Sequence, residues 1–332
     1  MAHFEDTGPR TPVVEPTRVD KVHPRAKWGK SIRVLLTVIV AFIMLFPVLV
    51  MVMTAFKSRA DIVTPPPKVF FRPTLEGFLY LFTDRSVLSP ANLDAARANP
   101  GKLDYWQQLA LSNGQQINGP SDYVGRLKNS MIIAGTSTIL SVILGLFAAY
   151  AFSRFKIAGK DDLLFFILST RMLPGVVVTI PLFLLYKQLG WNDTYIGLII
   201  LYTVFNLSFS VWLLKGFIDE IPIEYEEAAL VDGYTRLQAF FRIVLPQAVT
   251  GIAATTVFCL IFAWNEYAFA LMLTSERART APPSIATMLG SGGLEWSAIA
   301  AGSLGFLIPV AIVTFTLRDY LLRGVTFGAV RK

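Results

Sequence analysis

Residues 222–246 read Pro222-Ile-Glu-Tyr-Glu-Glu-Ala-Ala-Leu-Val-Asp-Gly-Tyr-Thr-Arg-Leu-Gln-Ala-Phe-Phe-Arg-Ile-Val-Leu-Pro246. Apolar segments long enough to cross a bilayer flank the stretch on both sides. Its own pattern predicts a short helical hairpin lying on a membrane surface. Pro222 suits a first helical turn, where its missing N–H costs nothing. Glu224, Glu226 and Glu227 follow, and acidic side chains there favour the positive end of the helix dipole. Asp232-Gly233 closes this helix, because glycine readily takes the left-handed conformation common at a C-terminus. Thr235-Arg236-Leu237-Gln238 is a capping box that opens a second helix. Leu237, Phe240, Phe241 and Val244 fall at i, i+3, i+4 and i+7, which makes one apolar stripe. Pro246 punctuates the hairpin before the next apolar segment.

Composition agrees with a membrane setting. Of 332 residues, 54% are hydrophobic and 16% charged, against about 25% charged in soluble domains. The formal charge of +7 is scattered over segment ends and forms no basic helix or aromatic platform, so it reads as membrane flanks rather than as a nucleic-acid surface. The single cysteine, Cys259, lies in an apolar run, which excludes an intrachain disulfide and a cysteine metal cluster. His3 and His23, both in the N-terminal segment, are the only histidines, which removes most histidine-based catalysis and most zinc sites. Gly29-Lys30-Ser31 fails as a phosphate loop, since Pro24 stands where the loop needs glycine and no strand precedes it. If ATP drives this protein, another chain binds it.

Residues 1–33 are polar and expected to be a flexible cytoplasmic N-terminus. Residues 34–56 carry no charge between two charged flanks, enough for about 30 Å of hydrocarbon, and give a first uncleaved span. Residues 57–128 are polar, broken by Pro65-Pro66-Pro67, with a short helix expected at 103–111. Five more spans follow at 129–152, 163–186 (interrupted by Arg171, Pro174 and Pro181), 195–214, 243–265 (its helix continuing to about 273) and 297–317. Lys and Arg set the orientation. Seven lie in residues 1–33, three in 153–161, three in 215–245 and four in 318–332, whereas the short loops opposite hold Lys187, Arg277 and Arg279. Both termini and residues 222–246 are therefore expected on the cytoplasmic side of an inner membrane.

The order Glu227-Ala228-Ala229, three residues, Gly233, nine residues, Ile243-x-Leu245-Pro246 resembles the EAA loop of ATP-binding-cassette (ABC) importer permeases. In that family the loop is a coupling helix that docks on a cytoplasmic ATPase. The resemblance assigns this role to Glu227, Ala228, Ala229, Asp232, Gly233, Leu245 and Pro246. Two alanines would give a flat face for a partner groove, and Glu227 one directional charge. A lone amphipathic surface loop fits the triplet equally well, but not the further Gly, Ile, Leu and Pro at their spacings. The resemblance extends over residues 124–332 through Asn129-Ser130, Arg154, Arg171-Met-Leu-Pro174, Ala263-Trp-Asn-Glu-Tyr267, Thr274-Ser275 and the tail 323–331. These segments look like the sugar-importer branch, the class of the smaller maltose-type permease.

The implied fold is an all-α integral membrane protein, a six-transmembrane-helix type I ABC importer permease (MetI-like) with a cytoplasmic coupling-helix hairpin. A permease core at 129–322 and a cytoplasmic tail at 323–332 go with it. The implied partners are a second permease subunit, two ATPase subunits and an extracytoplasmic substrate-binding protein. ATP and Mg belong to the ATPase, and this subunit is not itself an enzyme. One departure from the family pattern is an apparent insertion at 84–120 in the outer loop, either a docking surface for the binding protein or a tolerated surface segment.

Charged groups inside apolar spans are functional candidates by default. Glu266 is a candidate for the pathway or a gate, with a satisfied structural charge as the alternative, while Arg171 reads as structural support. Asn206 and Ser210 share a helix face at i and i+4, suited to helix contacts or to a hydroxylated substrate. The loop 290–296, with Ser291, Gly292, Gly293 and Trp296, is implied by the resemblance to reach into the binding protein. The same glycines would also serve a plain turn. Two other functions remain in view, import of a non-sugar solute and an ion-coupled secondary transporter. The latter would require more buried acids than Glu266.

Overall fold

A computed structural model describes residues 24–66, 68–98, 103–172, 174–290 and 293–320. The expected N-terminal segment up to residue 23 and the tail 323–332 lie outside the described residues. The chain separates into two compact units, residues 1–50 and 51–332. In the first unit the described residues belong to α1 (Pro24–Ala55), which contains nearly all of the expected first span. From Ile32 to Val50 almost every side chain is exposed. A helix that is apolar on all sides is stable where its solvent is hydrocarbon.

The second unit continues through α2 (Arg59–Val63) and α3 (Glu76–Phe82) to the segment expected as an insertion. That segment is β1 (Thr83–Val87), α4 (Pro90–Ala98), α5 (Tyr105–Ser112) and β2 (Gln115–Pro120). β1 and β2 pair antiparallel, Thr83 opposite Pro120 and Val87 opposite Gln115. The insertion therefore closes on itself, and the ladder pairs the facing backbone polar groups of the two passes. The ribbon is a local addition to a fold that is otherwise helical. The short helix expected at 103–111 starts later, since Asp104 and Gln107 form a capping box around its first turn.

Then follow α6 (Tyr123–Arg154), α7 (Lys160–Ser169), α8 (Gly175–Leu189) and α9 (Tyr195–Asp219). Next come α10 (Glu224–Val231), α11 (Arg236–Ala239), α12 (Leu245–Gln247) and α13 (Val249–Trp264). The chain closes with α14 (Ala268–Leu273), α15 (Ala281–Ala286), the small ribbon β3 (Leu289–Gly290) and β4 (Gly293–Leu294), and α16 (Trp296–Thr316). Among the described residues four helices are long and apolar enough to cross a membrane: residues 30–55 of α1, α6, α9 and α16. Two bent pairs raise the number to as many as six. Residues 160–172 turn by 93° into 177–189, and residues 236–247 turn by 74° into 249–264.

Both of these expected spans are broken, the first where its sequence is interrupted and the second where continuity was expected. The span 163–186 is interrupted by a 3-10 turn at Thr170–Met172 and by Pro174, which has no N–H to carry a helical ladder onward. The span 243–265 does not run on to 273. α13 ends at Trp264 with Asn265 as its cap, and the Glu266 carboxylate accepts from the N–H groups of Phe269 (2.9 Å) and Ala270 (3.0 Å), starting α14 afresh.

α6 and α9 form the centre of the bundle and meet through small side chains. A Cβ added at Gly145 would lie 2.2 Å from Ser210 Oγ, so only glycine permits this approach. Ser141 Oγ donates to Thr203 O at 3.2 Å. Small residues bring membrane helices together where no hydrophobic effect does so. α13 joins through Asn206 Nδ2, which donates to Cys259 O at 3.0 Å. α16 joins through the Trp264 indole N–H, which donates to Phe306 O at 3.1 Å beneath stacked rings.

One end of the bundle is stapled by polar groups. Asn129 Nδ2 donates to the carbonyls of Arg277 and Arg279, and Ser130 Oγ accepts from Ala281 N–H. Asp193, with φ of 55°, offers its carboxylate to the N–H groups of Ser275, Glu276, Arg277 and Ala278 and to the Ser275 hydroxyl, at 3.0–3.2 Å. Burial pushes this carboxyl up, but the four backbone N–H groups outweigh it and hold Asp193 at about 2.

Candidate functional site

The 222–246 segment folds as the expected hairpin, and its caps match the sequence pattern. α10 ends in a left-handed Gly233 with φ of 87°. Gly233 N–H donates to Leu230 O (3.1 Å) and Tyr234 N–H to Ala229 O (3.0 Å), the two bonds of a Schellman turn. Thr235 and Gln238 exchange side-chain and backbone bonds at 3.3 and 2.8 Å and open α11. Pro222 lies one residue outside the first turn, because Ile223 takes the cap position.

The second half differs from expectation. A π-helical turn at Phe240–Val244 adds a residue to the winding. The predicted stripe is therefore split: Phe240 and Val244 are fully buried, while Leu237 (62% exposed) and Phe241 face outward. Pro246 does not end the element. It lies inside α12, and the bend comes after it at Ala248, the shared cap of α12 and α13.

The seven residues assigned to the hairpin divide by face. Glu227, Ala228, Asp232, Gly233 and Pro246 are exposed, as is Val231 at 87%. Ala229 is buried and Leu245 half-buried, so the two alanines do not share one outward face. Consecutive residues on a helix point about 100° apart. The same geometry separates the two glutamates: Glu227 faces outward while Glu226, only 4% exposed, faces the bundle. There Glu226 accepts from Tyr150 Oη at 2.9 Å and pairs with the Arg154 guanidinium. Nothing in the linear motif singles out Glu226; only the place of α6 beside α10 does.

Glu266, Arg171 and Asn206 are engaged within the chain. Glu266 accepts from Tyr202 Oη at 2.8 Å as well as from the start of α14. Arg171 donates to Phe205 O and to Asn206 Oδ1, both at 3.3 Å, and lies over the Phe262 ring at 4.3 Å. Arg171 and Asn206 thus meet, whereas Glu266 is held elsewhere. Ser210 is fully buried against Gly145. Toward the opposite end, Gly293 belongs to the β3–β4 ribbon and Trp296 begins α16, half-exposed. Ser291 and Gly292 lie outside the described residues. Glu295 at the base of this loop is unremarked in the sequence, yet it is 2% exposed and paired with Arg59 at 3.0 Å.

Comparison with known proteins follows from this geometry. The family described as "Binding-protein-dependent transport system inner membrane component" matches residues 141–327. The trehalose/maltose transport system permease protein MalG of Thermococcus litoralis is 30% identical over 296 residues, 89% of this chain and 94% of the relative. The inner membrane ABC transporter permease protein YcjP of Escherichia coli is 30% identical over 291 residues, 87% of this chain and 92% of the relative. The crystal structure of a bacterial ABC transporter involved in the import of the acidic polysaccharide alginate contains a chain with the same fold. Its TM-score is 0.61 at 20% identity, covering 90% of this chain and 99% of that one. A helical bundle with an exposed capped hairpin, matched over more than half its length by this family, is a permease subunit: the chain belongs to the binding-protein-dependent transport system inner membrane components.

Proposed function

We propose that this chain is a permease subunit of an ATP-driven carbohydrate importer and that the 222–246 hairpin receives the stroke of a partner ATPase. The observation that carries the reading is the hairpin's outer face. Glu227, Ala228, Val231, Asp232 and Leu237 project from a segment whose other side is buried in the bundle. Exposed apolar side chains beside the carboxylates of Glu227 and Asp232 make a docking surface rather than a solvated loop. Positive flanks support a cytoplasmic location for the hairpin and both termini. The assembly would be completed by a second permease, two ATPase subunits that hold ATP and Mg, and an extracytoplasmic binding protein contacting residues 290–296. The relatives named for trehalose, maltose and alginate support a hydroxylated cargo, a sugar, oligosaccharide or polyol.

The mechanism is mechanical. Closure of the ATPase pair carries the hairpin with it, and the bundle changes the side on which its pathway opens. Such coupling requires the ATPase to contact the two states differently. Glu266 and Asn206 are placed as structural links within the bundle first, and any role at the pathway is exerted through the helices they position. The test is Glu227→Lys in the assembled complex. Expected is an inserted, complete transporter whose uptake falls about tenfold or more, within the usual span of site-to-site coupling. Normal uptake with normal ATPase stimulation refutes the docking role.

A further inference from the structure

We propose that Arg154, Glu226 and Tyr150 form a lock joining the hairpin to the α6–α9 pair, with Glu226 the positioning residue that carries the ATPase stroke into the bundle. This rests on the reading of the hairpin as the ATPase-docking surface. The covalent connections run only from α9 into α10 and from α12 into α13. α6, the helix at the centre of the bundle, is linked to the hairpin by side chains alone.

Those side chains are arranged as a clamp. Arg154 ends α6, where a cation also suits the helix dipole. Its guanidinium pairs with Glu226 on α10 and donates to Ser153 Oγ at 2.9 Å. It further donates to the carbonyls of Ile218 (3.1 Å) and Ile221 (2.8 Å), at the end of α9 and in the turn that leads to α10. One planar fork therefore holds α6, α9 and α10 in a fixed relation, which a lysine point charge would not do.

Tyr150, one turn earlier on α6, is gripped by both halves of the hairpin. Its hydroxyl donates to Glu226 from the α10 side, and its ring packs 4.7 Å from Phe240 on the π-helical turn. Phe240 also meets Phe147 at 5.4 Å. Both side chains of the ion pair are almost wholly buried, 6% exposed for Arg154 and 5% for Glu226. A buried pair contributes little net stability, whereas removing one partner leaves the other charge stranded. Its use here is geometric: a displacement of α10 reaches α6 and α9 together instead of bending the turn between α9 and α10.

The experiment uses the full transporter in proteoliposomes with its ATPase and binding protein. Three quantities are read: retention of the ATPase in the complex, stimulated ATP hydrolysis, and solute imported per ATP. Glu226→Gln is expected to keep the complex assembled and hydrolysing while import per ATP falls about tenfold, mid-range for energetic coupling between sites. Glu226→Asp, which keeps the charge, should recover most of it. Tyr150→Phe removes only the hydroxyl bond and keeps the ring on Phe240, so it decides the matter if Glu226→Gln fails to assemble. It should lower import per ATP by about threefold, below the full coupling loss. Import per ATP unchanged in the assembled Glu226→Gln or Tyr150→Phe complex overturns the lock. Failure of the underlying reading has a separate signature: Ala228→Cys would then give no crosslink to the ATPase, whatever the Glu226 variants do.

Discussion

Asp193→Asn isolates one carboxylate and lets its contribution be worked through. Asn tolerates the left-handed backbone at this position as Asp does, so the substitution changes side-chain chemistry and little else. Asp193 Oδ1 accepts from the N–H groups of Ser275 and Ala278, and Oδ2 from those of Glu276 and Arg277 and from the Ser275 hydroxyl. An Asn side chain keeps one acceptor oxygen and turns its NH2 group toward N–H donors. The carboxyl is held at about 2 against an ordinary 3.8, which corresponds to about 2.5 kcal/mol in favour of the charged form. Because the group is partly open to solvent, screening reduces this to about 1 kcal/mol.

That value corresponds to about fivefold easier opening of residues 274–278. The measurement is amide hydrogen exchange on the purified complex at pH 7, read at Ser275, Glu276, Arg277 and Ala278. Protection in Asp193→Asn should fall about fivefold there and stay unchanged in α6 and α9. The sign with pH follows from linkage. A carboxyl whose folded value is depressed contributes its stability fully above about 4 and loses it as pH falls toward about 2, so only the wild-type loop weakens across that window. Wild-type exchange rates in Asp193→Asn at pH 7 would refute the reasoning.

Two further outcomes concern the bundle. Gly145→Ala places a methyl within 2.2 Å of Ser210 Oγ and should destabilise the α6–α9 pair by roughly 1–3 kcal/mol, the usual cost of overpacking. The melting temperature of the complex reports it, and Ser210→Gly in the same chain should restore it. Glu266→Gln retains one acceptor for the start of α14 but loses the charge-assisted bonds, so stability should fall by roughly 1–2 kcal/mol with cargo preference unaltered. A changed preference in a competition uptake assay would show that Glu266 meets the cargo directly.

Local rules account for much of what could be read in advance. The Schellman turn at Gly233, the capping box at Thr235 and the start of α9 at Tyr195 depend on neighbours a few residues apart, and each appears where its residues predict it. Signature residues with no evident task, Asn129, Ser130 and Ser275, turn out to be staples for the loop after α14. Their partners lie far away in the chain, so their purpose cannot be read from spacing. The stripe Leu237, Phe240, Phe241 and Val244 failed as a single face because it assumes uniform α-helical winding. The π-helical turn breaks that assumption without altering composition.

The sequence by itself determined that apolar runs of membrane-spanning length alternate with positive flanks, and that a capped hairpin interrupts them. Hydrophobic length and capping are properties of contiguous residues. Only the tertiary structure decided which glutamate of Glu226-Glu227 turns inward. It likewise decided that Ser210 is closed against Gly145 and that Glu266 caps a broken helix. Each of these depends on the rotation of one helix relative to another, fixed by packing between residues distant in the chain, and a linear pattern carries the period of a helix but not its phase against a neighbour.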